Sequence, residues 1–294
     1  MRTRVLLQLI ATGVSALLLT LAQSPFDAGA LATVALVPWL LALRGASRPG
    51  SAALGLLLGV LFVCFSAGWL YPAFEAMGAH GFHAALGTLI VAVWAKGGLF
   101  AALGLSVRWL ARSPSAMQIF VPALIVGAFE TWMSHSPLGL PVLLVGHSQI
   151  SVPGVAQLAV VVGVPGISIL MTALNCGIAQ LILNPERSIS LPACLLSAWA
   201  IPALCGLAIA TSFHPPSRSE GRSVLVVQPN LSRQDRWDPL RQESQLGEIV
   251  EYTKTAITGE SSLPDLVLWP ENAITSPLEM DPKLRAKLEH HVSR

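Results

Sequence analysis

Apolar residues run almost unbroken from the N-terminus to residue 211, and mixed, charged sequence follows. Crossing a hydrocarbon core of about 30 Å takes roughly 20 apolar residues in a helix. Seven stretches have that character: 5–22, 27–43, 51–70, 84–106, 117–134, 155–183 and 190–211. Beyond them the pattern changes period. Val224 to Val227 form a short β-branched run of the kind buried on both faces of a sheet. Asp238 and Pro239 supply an N-cap and a first-turn proline, and the helix they open sets Leu246, Ile249, Val250 and Ile257 on one side. Leu266 to Trp269 make a second strand, and Pro282 to Val292 open another helix. Strand, helix, strand is the start of an α/β domain. The domains expected are a transmembrane helical domain (1–211), a Pro- and Ser-rich linker (212–222) and a domain that begins at 223 and runs to 294.

Composition agrees with that division. A mean hydropathy of +0.63 with 12% charged residues belongs to a membrane protein. A net charge of +2, with no basic cluster along the sequence, excludes a nucleic-acid partner. Met1-Arg-Thr-Arg4 resembles the charged start of a signal peptide, but six further spans follow and no small-residue cleavage site does, so the first span reads as an anchor. With the N-terminus in the cytoplasm, the inside segments hold Arg2, Arg4, Arg44, Arg48, Arg108, Arg112 and Arg187. The outside loops 23–26, 71–83 and 135–154 hold no Lys or Arg. That positive-inside bias and an odd number of spans place everything after residue 211 outside the cytoplasm.

Cys64, Cys176, Cys194 and Cys205 all fall within spans and read as small packing residues, with neither disulfide nor zinc spacing. Gly97, Gly98 and Gly104 should let the fourth span approach a neighbour closely. Residues 134–153 are apolar but broken by Pro and Gly, which suits an extracytoplasmic or re-entrant loop.

The residues with chemical potential are few. Glu271 follows Trp269-Pro270 at the carboxyl end of the second strand, where α/β sheets carry their chemistry. Held rigidly and partly buried beside the indole, it suits a general base, the plainer alternative being a solvated acid. Glu130 in the fifth span should turn inward, either for a structural contact or to line a lipid entrance, and Lys96 in the fourth span is equally costly to bury. His147 and Gln149 lie in the broken loop, where they either face substrate or hydrogen-bond the loop itself.

Val226-Val-Gln-Pro-Asn230, Arg236-Trp-Asp-Pro239 and Pro264-Asp-Leu-Val-Leu-Trp-Pro-Glu-Asn-Ala273 resemble the opening of the carbon–nitrogen hydrolase (nitrilase-like) domain of the apolipoprotein N-acyltransferase family. Gln23-Ser-Pro-Phe-Asp27 and Gly146-His-Ser-Gln-Ile150 resemble its membrane half. The resemblance implies a polytopic α-helical membrane domain followed by the opening βαβ portion of an α-β-β-α sandwich. It also implies transfer of an acyl chain from a phospholipid to the N-terminal amine of a lipoprotein's diacylglyceryl-cysteine, at the outer face of the bacterial inner membrane. The family's triad is Glu–Lys–Cys: the glutamate is the general base, the cysteine carries the acyl group as a thioester, and the lysine stabilises the tetrahedral intermediate. Glu271 matches the glutamate and Trp237 a tryptophan that matters to activity. Substrate contact is expected of Trp237, Trp269, Glu130, His147 and Gln149, with no metal or cofactor and with the chain monomeric.

One departure matters. The family's lysine and cysteine lie well downstream of the Trp-Pro-Glu element, and no Cys follows Cys205. The expectation is therefore a C-terminally truncated, catalytically incomplete chain. The alternative is a non-catalytic membrane scaffold of the same descent that binds lipid or lipoprotein.

Overall fold

The computed structural model describes residues 2–186, 189–212, 222–230, 242–258, 263–271, 273–274, 282, 285, 286, 288 and 289. The chain divides into two units, Met1–Phe213 and His214–Arg294.

The first unit is helical. Six helices are long and apolar enough to cross a membrane: α1 (Arg2–Ala22), α3 (Arg48–Ser66), the continuous run Phe82–Trp109, α7 (Ser115–His135), α9 (Ala159–Leu183) and α10, apolar over Ser190–Ile209. The run Phe82–Trp109 comprises α5 (Phe82–Ala92), a π turn (Val93–Gly97) and α6 (Gly98–Trp109). The expected span at 27–43 is different. It is a 3₁₀ turn (Gly29–Thr33) followed by the seven-residue helix α2 (Val37–Leu43). Short helices α4 (Leu70–Ala76) and α8 (Pro153–Gln157) fill connections.

The broken segment nevertheless traverses the bundle. Arg4 lies against Gly45, while Thr20 Oγ1 is 3.0 Å from Ser66 Oγ, so α1 and α3 run side by side in the same direction. The chain between them must return to the starting end, and it runs back along α1. The Ala28 N–H donates to Leu21 O, the Trp39 N–H to Ser15 Oγ at 3.0 Å, and Gln8 Nε2 to Ala42 O at 3.1 Å. Irregular backbone survives at such depth only where protein satisfies its polar groups. Here Asn175 accepts from Leu36 N at 2.8 Å and donates to Ala32 O at 2.7 Å, and Gln149 donates to Gly29 O at 2.8 Å.

The remaining passes alternate. The run Phe82–Trp109 descends along α3, with Gly59 against the Lys96 backbone and Gly55 against that of Phe100. No side chain fits between these backbones, which is the close approach that small residues permit. Of the three glycines expected to mediate such contacts, Gly104 meets Ser51 and Gly97 meets Leu56, whereas Gly98 has only its own helix nearby. Gly127 then packs on Ile169 and Gly177 on Pro192, so α7, α9 and α10 follow in antiparallel order. Ser212 therefore leaves the unit from the end opposite Arg4, Arg44, Arg48, Arg108 and Arg112.

The core holds Trp39, Phe62 and Phe100 edge to face, with ring centroids 6.3 and 6.5 Å apart. Large apolar side chains such as Leu6, Ile90, Val160 and Leu204 face outward, as lipid-facing helices require. Cys176 is buried as expected, but Cys64, Cys194 and Cys205 occupy outward helix faces, and all four are unpaired.

In the second unit, β1 (Val224–Val226) and β2 (Leu266–Leu268) pair in parallel, Val224 with Leu266 and Val226 with Leu268. Between them in sequence lies α11 (Gln242–Thr258), which buries Leu246, Ile249 and Val250 as the periodicity predicts. The expected Asp238–Pro239 cap lies outside the described residues. Burial of β1 on both faces is not observed. Val224 and Val226 are 49% and 69% exposed, and Leu266 and Leu268 50% and 45%. The side chains alternate, and among the described residues nothing covers the outer face of these two strands.

Candidate functional site

The polar centre of the helical unit is built around the π turn. A π turn inserts an extra residue into a helix and recurs at functional positions. Here it carries Lys96, whose side chain is 2% exposed and points at the fully buried Glu130 of α7, with Nζ to Oε1 at 3.3 Å. An isolated buried charge is expensive, and a partner with further hydrogen bonds offsets that cost. Glu130 Oε1 also accepts the Val145 N–H at 2.8 Å, while Oε2 is buried without a partner. Glu130 is thus turned inward, and its carboxylate joins α7, the π turn and the segment at 145. The sequence singled out both residues without pairing them. The usable signal was two opposite charges, each alone in the middle of an apolar helix.

Of the stretch 134–153, expected to form an extracytoplasmic or re-entrant loop, the part from Leu144 to Gln149 is packed within the bundle, while Leu138 and Ile150 are exposed. A 3₁₀ turn (Val145–Gln149) buries Val145, Gly146, Ser148 and Gln149. Gln23 Nε2 donates to Leu144 O at 3.1 Å, and Gly146 N donates to Ser168 Oγ at 2.7 Å. Gln23 entered the sequence reading only as the first residue of the Gln23–Asp27 motif, and Ser168 not at all. Gln149 is fully occupied: Nε2 donates to Gly29 O and to Ser148 Oγ, and Oε1 accepts from Trp199 Nε1 at 2.6 Å. It therefore clamps the broken segment, this turn and α10 together. His147 is the exposed member of the turn. Even so, the protein packed near its ring disfavours the imidazolium and lowers its pKa. The Glu130 carboxylate opposes that shift and the Lys96 ammonium adds to it.

On the outer side of the same two helices lies an apolar groove of about 500 Å³, lined by Leu89, Val93, Trp94, Gly98, Phe129 and Trp132 among others. Trp94 and Trp132 meet edge to face at 5.6 Å, and Trp94 Nε1 donates to Leu138 O at 3.2 Å. Such a surface holds hydrocarbon and offers nothing to a charge.

In the second unit, Glu271 follows β2 by way of Trp269 and Pro270. It is exposed, which corrects the expectation of partial burial. The strand ends at Leu268, and a turn closed by Ala273 N to Pro270 O at 3.1 Å begins as the chain leaves the sheet. The neighbouring indole is half-buried. Trp269 packs on Leu246 and Val250 and donates from Nε1 to Thr253 Oγ1 at 3.0 Å. Trp237 lies outside the described residues. The structure thus gathers Glu130, Lys96 and the 145–149 turn within the first unit, with Glu271 and Trp269 in the second.

Comparison with known proteins bears on what these parts serve. The family profile described as the apolipoprotein N-acyltransferase N-terminal domain matches residues 15–177. The apolipoprotein N-acyltransferase of Azotobacter vinelandii is 32% identical over 267 residues, covering 87% of this chain and 49% of that protein. That of Pseudomonas syringae pv. tomato is 32% identical over 281 residues, covering 92% and 51%. That of Chlorobaculum tepidum is 26% identical over 249 residues, covering 83% and 44%. The chain spans about half the length of the curated relatives it matches.

Proposed function

The chain belongs to the apolipoprotein N-acyltransferase family, a family of multi-pass bacterial membrane proteins, and from that premise we propose that it contributes the membrane half and the general base of a lipoprotein N-acyltransferase. Residues 1–211 form the membrane domain, 212–222 a linker, and 223–294 the opening of a nitrilase-like domain on the periplasmic side of the inner membrane. The observation that carries the reading is Glu271 at the carboxyl end of a parallel strand, downstream of a helical unit that matches the family.

The reaction has two halves. A cysteine thiol gives its proton to the Glu271 carboxylate, and the thiolate attacks an ester carbonyl of a phospholipid. The tetrahedral oxyanion, held by a lysine ammonium, collapses to a thioester as Glu271 returns its proton to the departing lysophospholipid alkoxide. The α-amine of a diacylglyceryl-cysteine then attacks the thioester, and Glu271 takes up the amine proton and passes it to the departing thiolate as the amide forms and the thiol is regenerated. An exposed carboxylate is accessible for such transfers. Trp237, Trp269 and His147 remain the candidates for contact with acceptor or donor, with the apolar groove suited to acyl chains.

The thiol is the component these residues do not offer. Cys64, Cys176, Cys194 and Cys205 all sit on helices long and apolar enough to cross a membrane, so none is offered as a thiol within the domain that carries Glu271. A polypeptide limited to these 294 residues therefore transfers no acyl chain. The test incubates that purified polypeptide with phospholipid and a diacylglyceryl-cysteine peptide. Turnover above background, or a hydroxylamine-sensitive adduct on any of the four cysteines, refutes the assignment. An inactive polypeptide that still retains the lipopeptide would favour the scaffold reading.

A further inference from the structure

We infer that the arginine-bearing end of the helical unit, opposite the end at which Ser212 leaves it, seats the phosphate of an anionic phospholipid, independently of acyl transfer. The arginines are scattered in sequence, and the fold gathers them. The Arg4 guanidinium lies directly over Gly45, where an added Cβ would overlap its Nη2 and Cζ atoms. Gly45 stands between Arg44 and Arg48, the last of which opens α3 behind the Ser47 cap. Gly104 packs on the Ser51 backbone, and α6 runs antiparallel to α3, so Arg108 comes level with the first turn of α3. Four guanidinium groups from three segments thus share one end of the bundle.

These arginines have no acidic partner among the described residues. Among the described residues the ion pairs are Lys96–Glu130 and Arg285–Glu289, so none of the four arginines meets a carboxylate. Arg108 Nε is buried and has no hydrogen-bond acceptor. A buried guanidinium N–H without an acceptor is costly, so the site calls for an anion. Positive-inside bias alone accounts for arginines in loops. It does not require an Nε enclosed without a partner, or a glycine beneath a guanidinium.

The position selects the anion's source. Arg48 begins one membrane-capable helix and Arg108 is the penultimate residue of another, which sets both at headgroup depth. Arginine forks match phosphate oxygens in paired hydrogen bonds, and basic pockets between helix ends take anionic lipid headgroups. A lipid with net negative charge fits four unpaired cations better than a zwitterionic one.

The test uses the chain purified in a neutral detergent, with retained lipid measured by native mass spectrometry after exposure to equal phosphatidylglycerol and phosphatidylcholine. The comparison set is R4Q/R48Q, R108Q and, as a control in the other unit, R222Q. The chain should retain phosphatidylglycerol preferentially, and R222Q should behave alike. At roughly fivefold per arginine, R4Q/R48Q should lose about 25-fold of that preference. Both substituted side chains are exposed, so this variant decides even where R108Q fails to fold. Equal retention of the two lipids, an unchanged preference in R4Q/R48Q, or full displacement of the lipid by millimolar inorganic phosphate would each overturn the proposal.

Discussion

Replacing Glu130 with leucine strands the Lys96 ammonium inside the bundle and removes the acceptor of the Val145 N–H. Both groups are buried, with side-chain exposures of 2% for Lys96 and 0% for Glu130. Removing one member of a buried pair costs about 3–5 kcal/mol. The orphaned backbone N–H adds about 1–3 kcal/mol unless the 145–149 turn shifts to find water. Lys96→Met is milder at the turn, because Val145 keeps its acceptor, but it leaves the carboxylate without a counter-charge. The double variant Lys96→Met/Glu130→Leu removes both charges, and replacing a buried pair by apolar side chains of similar volume is commonly neutral or stabilising. What remains is the lost Val145 hydrogen bond, so the double variant should be more stable than Glu130→Leu alone. Two residues in contact should show a coupling of about 0.5–3 kcal/mol, here near the upper end because no solvent screens them. The assay is reversible unfolding in mixed micelles, followed by the tryptophan fluorescence of the four proteins in one double-mutant cycle. Additive losses, or single variants within about 0.5 kcal/mol of the parent, would show that the pair does not hold α7, the π turn and the 145–149 turn together.

Other perturbations test neighbouring parts of the account. Asn175→Leu removes the acceptor of Leu36 N–H and the donor to Ala32 O, and two unsatisfied backbone groups at that depth should cost about 2–6 kcal/mol by the same unfolding assay. A loss below about 1 kcal/mol would mean that the broken segment is satisfied by other means. Gly59→Leu drives a side chain into the Lys96 backbone, so the yield of folded, monodisperse protein should collapse; a normal yield would deny the close approach of α3 to the π turn. A phosphatase fused after Asn230 should be active and a cytoplasm-dependent fluorescent reporter dark. The opposite pair of results would invert the topology.

The sequence made some of this legible and hid the rest for physical reasons. Six spans are plain because their apolar runs exceed the length a bilayer needs, and α11 is plain because Leu246, Ile249 and Val250 recur at helical spacing. The segment at 27–43 is just as apolar as a true span. Its break is set from outside by Ser15, Gln149 and Asn175, which satisfy its backbone across the bundle, and a linear pattern carries no trace of that. The Lys96–Glu130 pair spans 34 residues and depends on the packing of two helices. Glu271 was expected to be half-buried because Trp269 and Pro270 precede it. The indole turns towards α11 instead, and the carboxylate follows the chain outward. The β-branched run at 224–227 marks a strand correctly, but its burial depends on what lies against it.

The central claim is that this chain supplies a working membrane half and general base to a lipoprotein N-acyltransferase. The direct measurement grafts residues 1–294 onto the remaining C-terminal portion of the Azotobacter vinelandii relative and follows acylation of a diacylglyceryl-cysteine peptide in phospholipid micelles. The account predicts turnover by the graft and a fall of about 10²-fold or more on Glu271→Gln, with folding unchanged because the residue is exposed. Full activity in the Glu271→Gln graft would contradict it.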